Sequence, residues 1–406
     1  MTTIVSILFG LTYLGLALGK IPGLRIDRSG VAIVGAAAML AAGAVSLDAA
    51  ARAVDYRTLV LLFGMMVVVA YLKVAGLFVL ATGWIARHFA GPRALLAVLI
   101  AVSGGLSAFL VNDVVCVALT PLVLRLTRRL NRPAIPYLVG LATASNIGSV
   151  ATITGNPQNM IIGSLSSISY LRFTARLAPI AVAGLLIDFA VVAWVYRRTL
   201  AHEPAAVAGA SPAGRVHRAL LVKSLGVTLA AMALFFAGAP IALVALSAAA
   251  VLLLERVRPE KIYRSIDWPL LVMFAGLFVV VHAFEVNVVR HWGLERWQAL
   301  LESPVVLLSG LSLVLSNLVS NVPAVLLFEP LVNLMPEREL AWLALAASST
   351  LAGNLTLLGS VANLIVVESA RRSGTELGFV EYLKVGVPVT LLTTLVGVAW
   401  LALVRY

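Results

Sequence analysis

Residues 145–159 read SNIGSVATITGNPQN, a run of amides, hydroxyls and glycines inside an otherwise apolar span, and residues 349–363 read STLAGNLTLLGSVAN. The second stretch repeats Ser, Thr, Gly and Asn of the first at a constant offset of 204. Pro157 cannot donate a backbone hydrogen bond and disfavours helix in Asn156, so we predict that the helix breaks here. The copy lacks the proline but keeps its glycine and flanking polar groups, and we expect a second break.

Two further matches occur in the same order along the chain, which indicates a duplicated unit. Residues 55–69 match 267–281 at an offset of 212, and Asn112 with Pro121 repeats as Asn321 with Pro330 at an offset of 209. We predict a first repeat over 1–198, a cytoplasmic linker over 199–218 and a second repeat over 219–406. Interrupted apolar segments at corresponding places in two halves are the best sequence pointer to the binding site of a secondary transporter.

The composition excludes a soluble domain. Hydrophobic residues make up 61% of the chain and charged residues 12%, against about a quarter charged in soluble proteins. The net charge of +12 comes from short basic clusters between apolar runs, so it indicates membrane topology rather than nucleic-acid binding. A membrane enzyme needs a nucleophile and base, or a metal cluster, at depth, and the sequence carries no such constellation. We therefore expect a transporter and not an enzyme.

Apolar runs long enough to cross a bilayer predict an all-α polytopic fold. The runs lie near 3–19, 30–47, 58–82, 134–163, 177–196, 219–237, 240–255, 268–289, 340–367 and 385–404. Two longer stretches, 94–127 and 304–335, carry polar residues near their middles, and we predict that each is a re-entrant hairpin with a polar tip. Such a tip is tolerated at membrane depth only where it is buried in protein or lines a watery cavity.

The loop charges predict the orientation. A hairpin enters and leaves on the same side, so each half has five crossings and one hairpin. Because five is odd, the second half begins on the opposite face of the membrane and must be inverted. Of the 30 Lys and Arg residues, 21 fall on one face and eight on the other. Cytoplasmic loops carry the basic excess. We expect a bacterial-type inner-membrane protein with both termini outside, the first hairpin opening from the cytoplasm and the second from outside.

The breaks and the hairpin tips are the candidate binding residues, because broken helix ends expose carbonyls for Na⁺ and N–H groups for an anion. They are Ser145, Asn146, Thr154, Gly155, Asn156, Asn159, Asn354, Thr356, Gly359, Ser360 and Asn363 in the breaks, with Asn112, Asp113, Ser320 and Asn321 at the tips. The alternative is that small and hydroxyl residues only let helices pack closely. Asp113 either ligates Na⁺, exchanges a proton, or is a structural acid bonded to N–H groups of the tip.

These motifs resemble the ion transporter superfamily, which includes divalent-anion/sodium symporters, citrate–metal transporters, bacterial arsenite exporters and a class of Na⁺/H⁺ antiporters. The anion symporters carry Ser-Asn-Thr tips and Gly-Thr-Pro-Pro-Asn-like turns, where this chain has tips of Val-Asn-Asp and Ser-Asn-Val. The resemblance implies one Na⁺ site at Asn112 and Gly155, a second at Asn321 and Gly359, substrate between the tips, and a homodimer.

The motifs leave the substrate open. The Asn-Asp pair at the first tip looks like the arsenite exporters, whereas the Gly-Asn-Pro-Gln-Asn turn looks like the anion transporters. We expect a secondary active transporter that moves a small anion or oxyanion by alternating access, coupled to Na⁺ or H⁺ and with no other cofactor. Arsenite or antimonite efflux and Na⁺/H⁺ antiport are the alternatives.

Overall fold

A computed structural model of the chain describes residues 1–18, 26–89, 91–201, 216–291 and 304–404. Every regular element in this part of the chain is helical, and six of its helices are long and apolar enough to cross a membrane. The all-α polytopic fold predicted from the sequence is confirmed. Most of the predicted linker, residues 202–215, lies outside the described residues.

The first half contains ten α-helices within the described ranges. They are α1 (Thr2–Leu18), α2 (Arg28–Ala41), α3 (Leu47–Ala53), α4 (Tyr56–Ala75), α5 (Leu77–His88), α6 (Pro92–Phe109), α7 (Asn112–Arg129), α8 (Ile135–Ser149), α9 (Pro157–Leu165) and α10 (Tyr170–Val195).

The second half follows the same order. Its described helices are α11 (Arg218–Phe236), α12 (Ile241–Leu253), α13 (Pro259–Tyr263), α14 (Trp268–Asn287), α15 (Pro304–Val319), α16 (Asn321–Val332), α17 (Arg338–Ala352), α18 (Val361–Arg372) and α19 (Phe379–Leu403).

The interruptions fall where the sequence predicts them, with one exception. The hairpin turns separate α6 from α7 and α15 from α16, and the breaks separate α8 from α9 and α17 from α18. The prediction of one continuous helix over 58–82 is wrong, because α4 ends at Ala75 and Gly76 caps its C-terminus. Gly76 adopts a left-handed conformation (φ +95°), and its N–H bonds to the carbonyls of Leu72 and Lys73, which is a helix C-terminus that glycine favours.

The duplicated aspartates are helix caps. Asp55 Oδ1 accepts a hydrogen bond from the N–H of Arg57 at the start of α4, and Asp267 Oδ1 accepts one from the N–H of Leu270 at the start of α14. A capping carboxylate satisfies an N–H group that has no partner within the helix. Residues 55–69 and 267–281 therefore match where each begins the equivalent helix of its half, α4 in the first and α14 in the second.

The equivalent helices α10 and α19 cross antiparallel. Trp400 Nε1 near the end of α19 donates to the carbonyl of Arg176 near the start of α10 (2.9 Å), while Gly184 and Thr393 meet at the middle. Pro179 and Pro388 lie at matching positions of the two helices at an offset of 209, which places Gly184 and Thr393 at equivalent positions. Equivalent helices that meet antiparallel at equivalent residues are the arrangement expected of inverted repeats.

Each half also packs a helix against the other half in the same way. A Cβ on Gly64 of α4 would lie 2.6 Å from the backbone of Ala245 in α12, and one on Gly276 of α14 would lie 2.8 Å from the backbone of Ala32 in α2. Gly64 and Gly276 are counterparts in the duplication. The two contacts are reciprocal, because each joins the glycine of one half to the equivalent helix of the other.

The helix ends gather into two faces. At one end of the bundle Lys223 pairs with Glu255 (2.5 Å), Arg128 bonds to the carbonyl of Ser373, and the N–H of His217 bonds to Ala75. At the other end Thr2 bonds to Asn287, Ser164 to Asp55, and Arg172 to Glu339. Each set joins residues that the charge pattern assigns to the same side, and the two sets are assigned to opposite sides. We call the end with Arg128 and Lys223 the basic face.

We expect Gly64→Ala and Gly276→Ala each to destabilise the protein by about 1–3 kcal/mol, because the added methyl group pushes two helix backbones apart. The measurement is the unfolding temperature of the detergent-purified variants. Gly226→Ala is the control, since its Cβ would meet nothing within 4 Å and alanine favours helix. Equal unfolding temperatures for all three variants would show that these close approaches do not hold the halves together.

Candidate functional site

Both hairpin turns and both helix breaks border one cavity. Its volume is about 670 Å³. The hairpins and the breaks contribute four helix starts to its wall: α7 at Asn112, α9 at Pro157, α16 at Asn321 and α18 at Val361. The N-terminus of a helix presents unpaired N–H groups and the positive end of the helix dipole. The positive ends of four helix dipoles therefore meet at the cavity, and side chains cap one N–H group at two of them, Asn156 at α9 and Ser360 at α18.

Each break is stabilised by an asparagine at the equivalent position. Asn159 Nδ2 donates to the carbonyls of Ser149 (3.1 Å) and Thr152 (3.0 Å), both of which lie in the first break or at its edge. Its counterpart Asn363 donates to the equivalent carbonyls, those of Gly353 (2.8 Å) and Thr356 (3.2 Å). These amides satisfy carbonyls that the interruption of a helix leaves without partners. We call Asn159 and Asn363 the two asparagine clamps.

The break glycines let each loop turn back against the end of its own helix. A Cβ on Gly155 would collide with the carbonyl oxygen of Ser149, and a Cβ on Gly359 would lie 2.7 Å from Asn317 Oδ1 and 3.0 Å from the carbonyl of Gly353. Any larger residue would have to move backbone atoms. Both predicted glycines are thus placed at the breaks by close packing.

Asn146 joins the two halves at the centre. Its Nδ2 donates to Asn354 Oδ1 (2.8 Å) and Asn363 Oδ1 (3.1 Å) in the second half. Its Oδ1 accepts from Asn112 Nδ2 and from the hydroxyl of Ser360, each at 3.0 Å. A carboxamide can make four hydrogen bonds, and here all four are made. Asn146 therefore connects the first hairpin tip to the second break.

A reciprocal contact joins the first break to the second half. Thr350 is the counterpart of Asn146, and its hydroxyl accepts from Asn156 Nδ2 (3.2 Å) and from Gln158 Nε2 (3.2 Å). Asn156 is in turn the counterpart of Ser360. Each break is therefore held by the helix end of the opposite half.

Three buried amide oxygens have no hydrogen-bond partner within the described ranges. They are the Oδ1 atoms of Asn112, Asn159 and Asn321. Asn112 and Asn321 are the two hairpin tips, and both line the cavity. An amide oxygen can accept a hydrogen bond from a hydroxyl group of a solute or ligate Na⁺. Each tip thus has an amide oxygen that is available as an acceptor or ligand.

The cavity extends from these buried tips to an exposed acidic rim. Asp113 lies in the first turn of α7, and its carboxylate has no hydrogen-bond partner among the described residues. Asp27 and Asp267 are exposed at the rim, where Arg28 also lies. The N–H of Gly30 and the hydroxyl of Ser29 donate to Asp27 and hold the pKa of its carboxyl below the ordinary value. Carboxylates therefore outnumber basic side chains in the lining that the structure describes.

Several predicted residues support the site without lining the cavity. The hydroxyl of Thr154 pairs with that of Tyr170 (2.8 Å), Thr356 donates to Asn317 (3.2 Å), and Ser145 donates to the carbonyl of Asn112 (3.2 Å). Of the predicted residues, the cavity is lined by Asn112, Asp113, Ser320, Asn321 and Ser360.

Sequence reasoning did not select three residues that the structure places at the site. Gln158 lies inside the turn that predicts the first break, but its role needs Thr350 of the other half. Asp267 served only as a marker of the duplication, and its place at the rim depends on how α14 packs. Asn317 carried no signal beyond its position before the second tip.

A helical bundle with two hairpins and two broken helices meeting at one cavity defines a polytopic membrane transporter. Residues 13–347 match the CitMHS family, described as a citrate transporter family. The chain belongs to this family.

Relatives and a solved structure agree with this class. The silicon efflux transporter LSI3 of Oryza sativa subsp. japonica is 32% identical, with 97% of this chain and 96% of the relative covered. The putative transporter arsB of Dictyostelium discoideum is 26% identical over 94% of this chain and 88% of the relative. The crystal structure of the YdaH transporter of Alcanivorax borkumensis shares the fold, with a TM-score of 0.60, 19% identity and coverage of 99% of this chain and 96% of that one.

We expect Asn146→Asp to destabilise the protein by about 1–3 kcal/mol for each hydrogen bond that is broken, because a carboxylate would face the amide oxygens of Asn354 and Asn363 without a hydrogen to donate. The unfolding temperature in detergent measures this destabilisation. Asn131→Asp is the matched control, since Asn131 is exposed and aspartate tolerates its positive φ. An Asn146→Asp protein as stable as this control would mean that the central amide does not join the halves.

Proposed function

We propose that the protein is a secondary active transporter that exports a small oxyacid, neutral or singly ionised, in exchange for protons. Arsenous acid and silicic acid are solutes of this class. The observation that carries the proposal is the cavity where the four helix N-termini and the two tip amides surround a single space beside Asp113.

The lining suits a small solute rich in hydroxyl groups. Backbone N–H groups at the helix starts donate to its oxygen atoms, and the free Oδ1 atoms of Asn112 and Asn321 accept from its hydroxyl groups. A multiply charged carboxylate instead adds negative charge next to Asp113, and two like charges about 4 Å apart repel by about 4 kcal/mol at an effective dielectric constant of 20. This favours an oxyacid over citrate.

The relatives support the same class of solute and the direction. The rice relative is a silicon efflux transporter and the Dictyostelium relative is a putative transporter named arsB. Silicon and arsenic both occur in water as small hydroxides. At this level of identity, over nearly the whole chain, we carry export of an oxyacid over to this protein as part of the proposal.

Asp113 is the proposed coupling residue. It faces the cavity, which opens to an exposed rim, so a proton can reach the carboxylate through water. It lies in the first turn of α7, and proton binding removes the charge of its carboxylate as the solute enters or leaves. One carboxylate can thus link the proton gradient to the solute.

Cation-coupled import of an anion is the second candidate. It is favoured by the family description and by the free amide oxygens of Asn112 and Asn321, which are suitable ligands for Na⁺. In this case the helix N-termini bind the anion, while Na⁺ offsets the charge of Asp113.

We place the basic face in the cytoplasm, because cytoplasmic loops carry the excess of Lys and Arg. The cavity rim, with Asp27, Arg28 and Asp267, lies on this face, so the structure corresponds to an inward-open state. The antiparallel crossing of α10 and α19 supports two inverted halves, and both termini then lie outside the plasma membrane. Alternating access follows from rocking one half against the other.

We expect proteoliposomes with the wild-type protein to transport arsenite or silicate against its gradient when a pH gradient is imposed, and Asp113→Asn to lose this accumulation by about tenfold or more, because the proton has no carboxylate to bind. The assay measures solute accumulation under a pH gradient and, separately, a Na⁺ gradient. Asp48→Asn, an exposed change on the opposite face, is the control.

Two results would contradict the proposal. Citrate transport driven by Na⁺, without movement of arsenite or silicate, supports the second candidate instead. Unchanged pH-driven accumulation in a well-folded Asp113→Asn protein removes Asp113 from coupling.

In a background where the lone cysteine is replaced (Cys116→Ala), we expect Glu376→Cys to react with an impermeant thiol reagent only from the cytoplasm and Asp48→Cys only from outside. Both positions are exposed, on the basic face and on the opposite face respectively, so accessibility depends only on orientation. Labelling in intact cells and in inverted vesicles measures it. The reverse pattern would place the basic face outside and make the structure outward-open.

A further inference from the structure

Asp188 is a fully buried carboxyl group that the proposed transport cycle does not use. It lies in α10 against α8, apart from the residues that line the cavity. Its Oδ1 is 2.7 Å from the hydroxyl oxygen of Thr143 in α8. Its Oδ2 has no hydrogen-bond partner within the described part of the chain.

The contacts of Thr143 indicate where the hydrogens are. The Thr143 hydroxyl lies 2.9 Å from the carbonyl of Val139 as well as 2.7 Å from Asp188, and it has one hydrogen to donate. An ionised Asp188 leaves only that hydrogen for both contacts. A neutral Asp188 donates to Thr143, and Thr143 donates to Val139, so both contacts contain a hydrogen. The geometry therefore favours the neutral acid.

Among the residues that the structure describes, none supplies a cation paired with Asp188. Of the described helices packed on α10, which include α6, α8, α11, α17 and α19, α19 brings a titratable side chain close to it, the buried phenol of Tyr382. No Lys, Arg or His in the described ranges forms an ion pair with Asp188. An unpaired charge in such a place is costly, and the group takes up a proton instead.

Thr143 also connects this acid to the contact between the two halves. Its backbone carbonyl accepts a hydrogen bond from Asn354 Nδ2 (3.1 Å), and Asn354 Oδ1 accepts from Asn146 (2.8 Å). The pair Thr143 and Asp188 occurs in one half only, since the equivalent positions hold Ala347 and Gly397. The second half therefore has neither member of the pair.

We propose that Asp188 is a second proton-binding site, occupied in this conformation and linked through Thr143 to the contact that Asn354 makes across the halves. A rearrangement that separates Asn354 from Thr143 changes the surroundings of the acid and lets it release its proton. Linkage is reciprocal, so the bound proton stabilises the packing described here. The inference holds whatever solute the protein carries.

Infrared spectroscopy of the purified protein without solute tests the site directly, because a protonated carboxylic acid and a carboxylate have separate carbonyl bands. We expect the acid band of Asp188→Asn to be weaker than that of wild type. The acid band of Asp113→Asn should still contain the contribution of Asp188. An acid band of wild-type intensity in Asp188→Asn would show that the carboxyl is ionised and would overturn the proposal. This measurement involves no transport, so its outcome is independent of the proposed function.

A pH series of unfolding temperatures is the second test. The folded state binds a proton at Asp188 that the unfolded chain releases at neutral pH, so raising the pH lowers stability. We expect Asp188→Asn, which resembles the neutral acid, to lose less stability than wild type as the pH rises, while the control Asp48→Asn follows wild type. Superimposable curves for wild type and Asp188→Asn would contradict a proton bound at this position.

Asn354→Ala tests the linkage. It keeps the acid and its partner Thr143 but removes the hydrogen bond to the Thr143 carbonyl. We expect the pH at which the Asp188 acid band disappears to shift relative to wild type. The same titration in Asn287→Ala, which removes an amide on the face opposite the basic face, should match wild type. An unshifted titration in Asn354→Ala would refute the linkage and leave Asp188 as an isolated neutral acid.

Discussion

A helix interrupted in the interior of a membrane protein must find new partners for the carbonyls that it frees, and the rest of this structure depends on how that is done. Each break uses one asparagine amide that donates to two carbonyls, Asn159 in the first half and Asn363 in the second. Each buried group left without a partner would cost about 1–3 kcal/mol. The clamps allow α8 and α17 to end inside the bundle, so that α9 and α18 start at the cavity wall.

The duplication supplies the scaffold, and the departures from it supply the chemistry. The clamps, the break glycines and the capping aspartates are the same in both halves. The pairs that differ include Asp113 and Val322 at the tips, Asn146 and Thr350 at the helix ends, and Asp188 and Gly397 in the long antiparallel helices. A symmetric scaffold has two equivalent ways to open. In the proposed cycle, unequal side chains at equivalent places give the two conformations different affinities for protons and solute.

The positions of the breaks and hairpins could be predicted because their causes are local. Pro157 stops a helix wherever the chain folds, and a polar tip such as Asn112 interrupts an apolar run over a few residues. The interruption at Gly76 could not be predicted in this way, because it lies in an unbroken apolar stretch and a single glycine there is also compatible with a continuous helix. Asn159 was correctly placed at the break, but its donation to Ser149 and Thr152 required the loop to turn back on its helix.

The sequence by itself determined the class of protein, the duplication, the two breaks and the two tips, since composition, spacing and backbone chemistry act within a few residues of each other. Only the tertiary structure decided which amides meet. Asn146 bonds to residues 208 and 217 positions away along the chain, and Asp188 contacts Thr143, which lies 45 positions before it. Such contacts depend on how the helices cross, and a side chain that donates and accepts equally well has no preferred partner until packing brings one within reach.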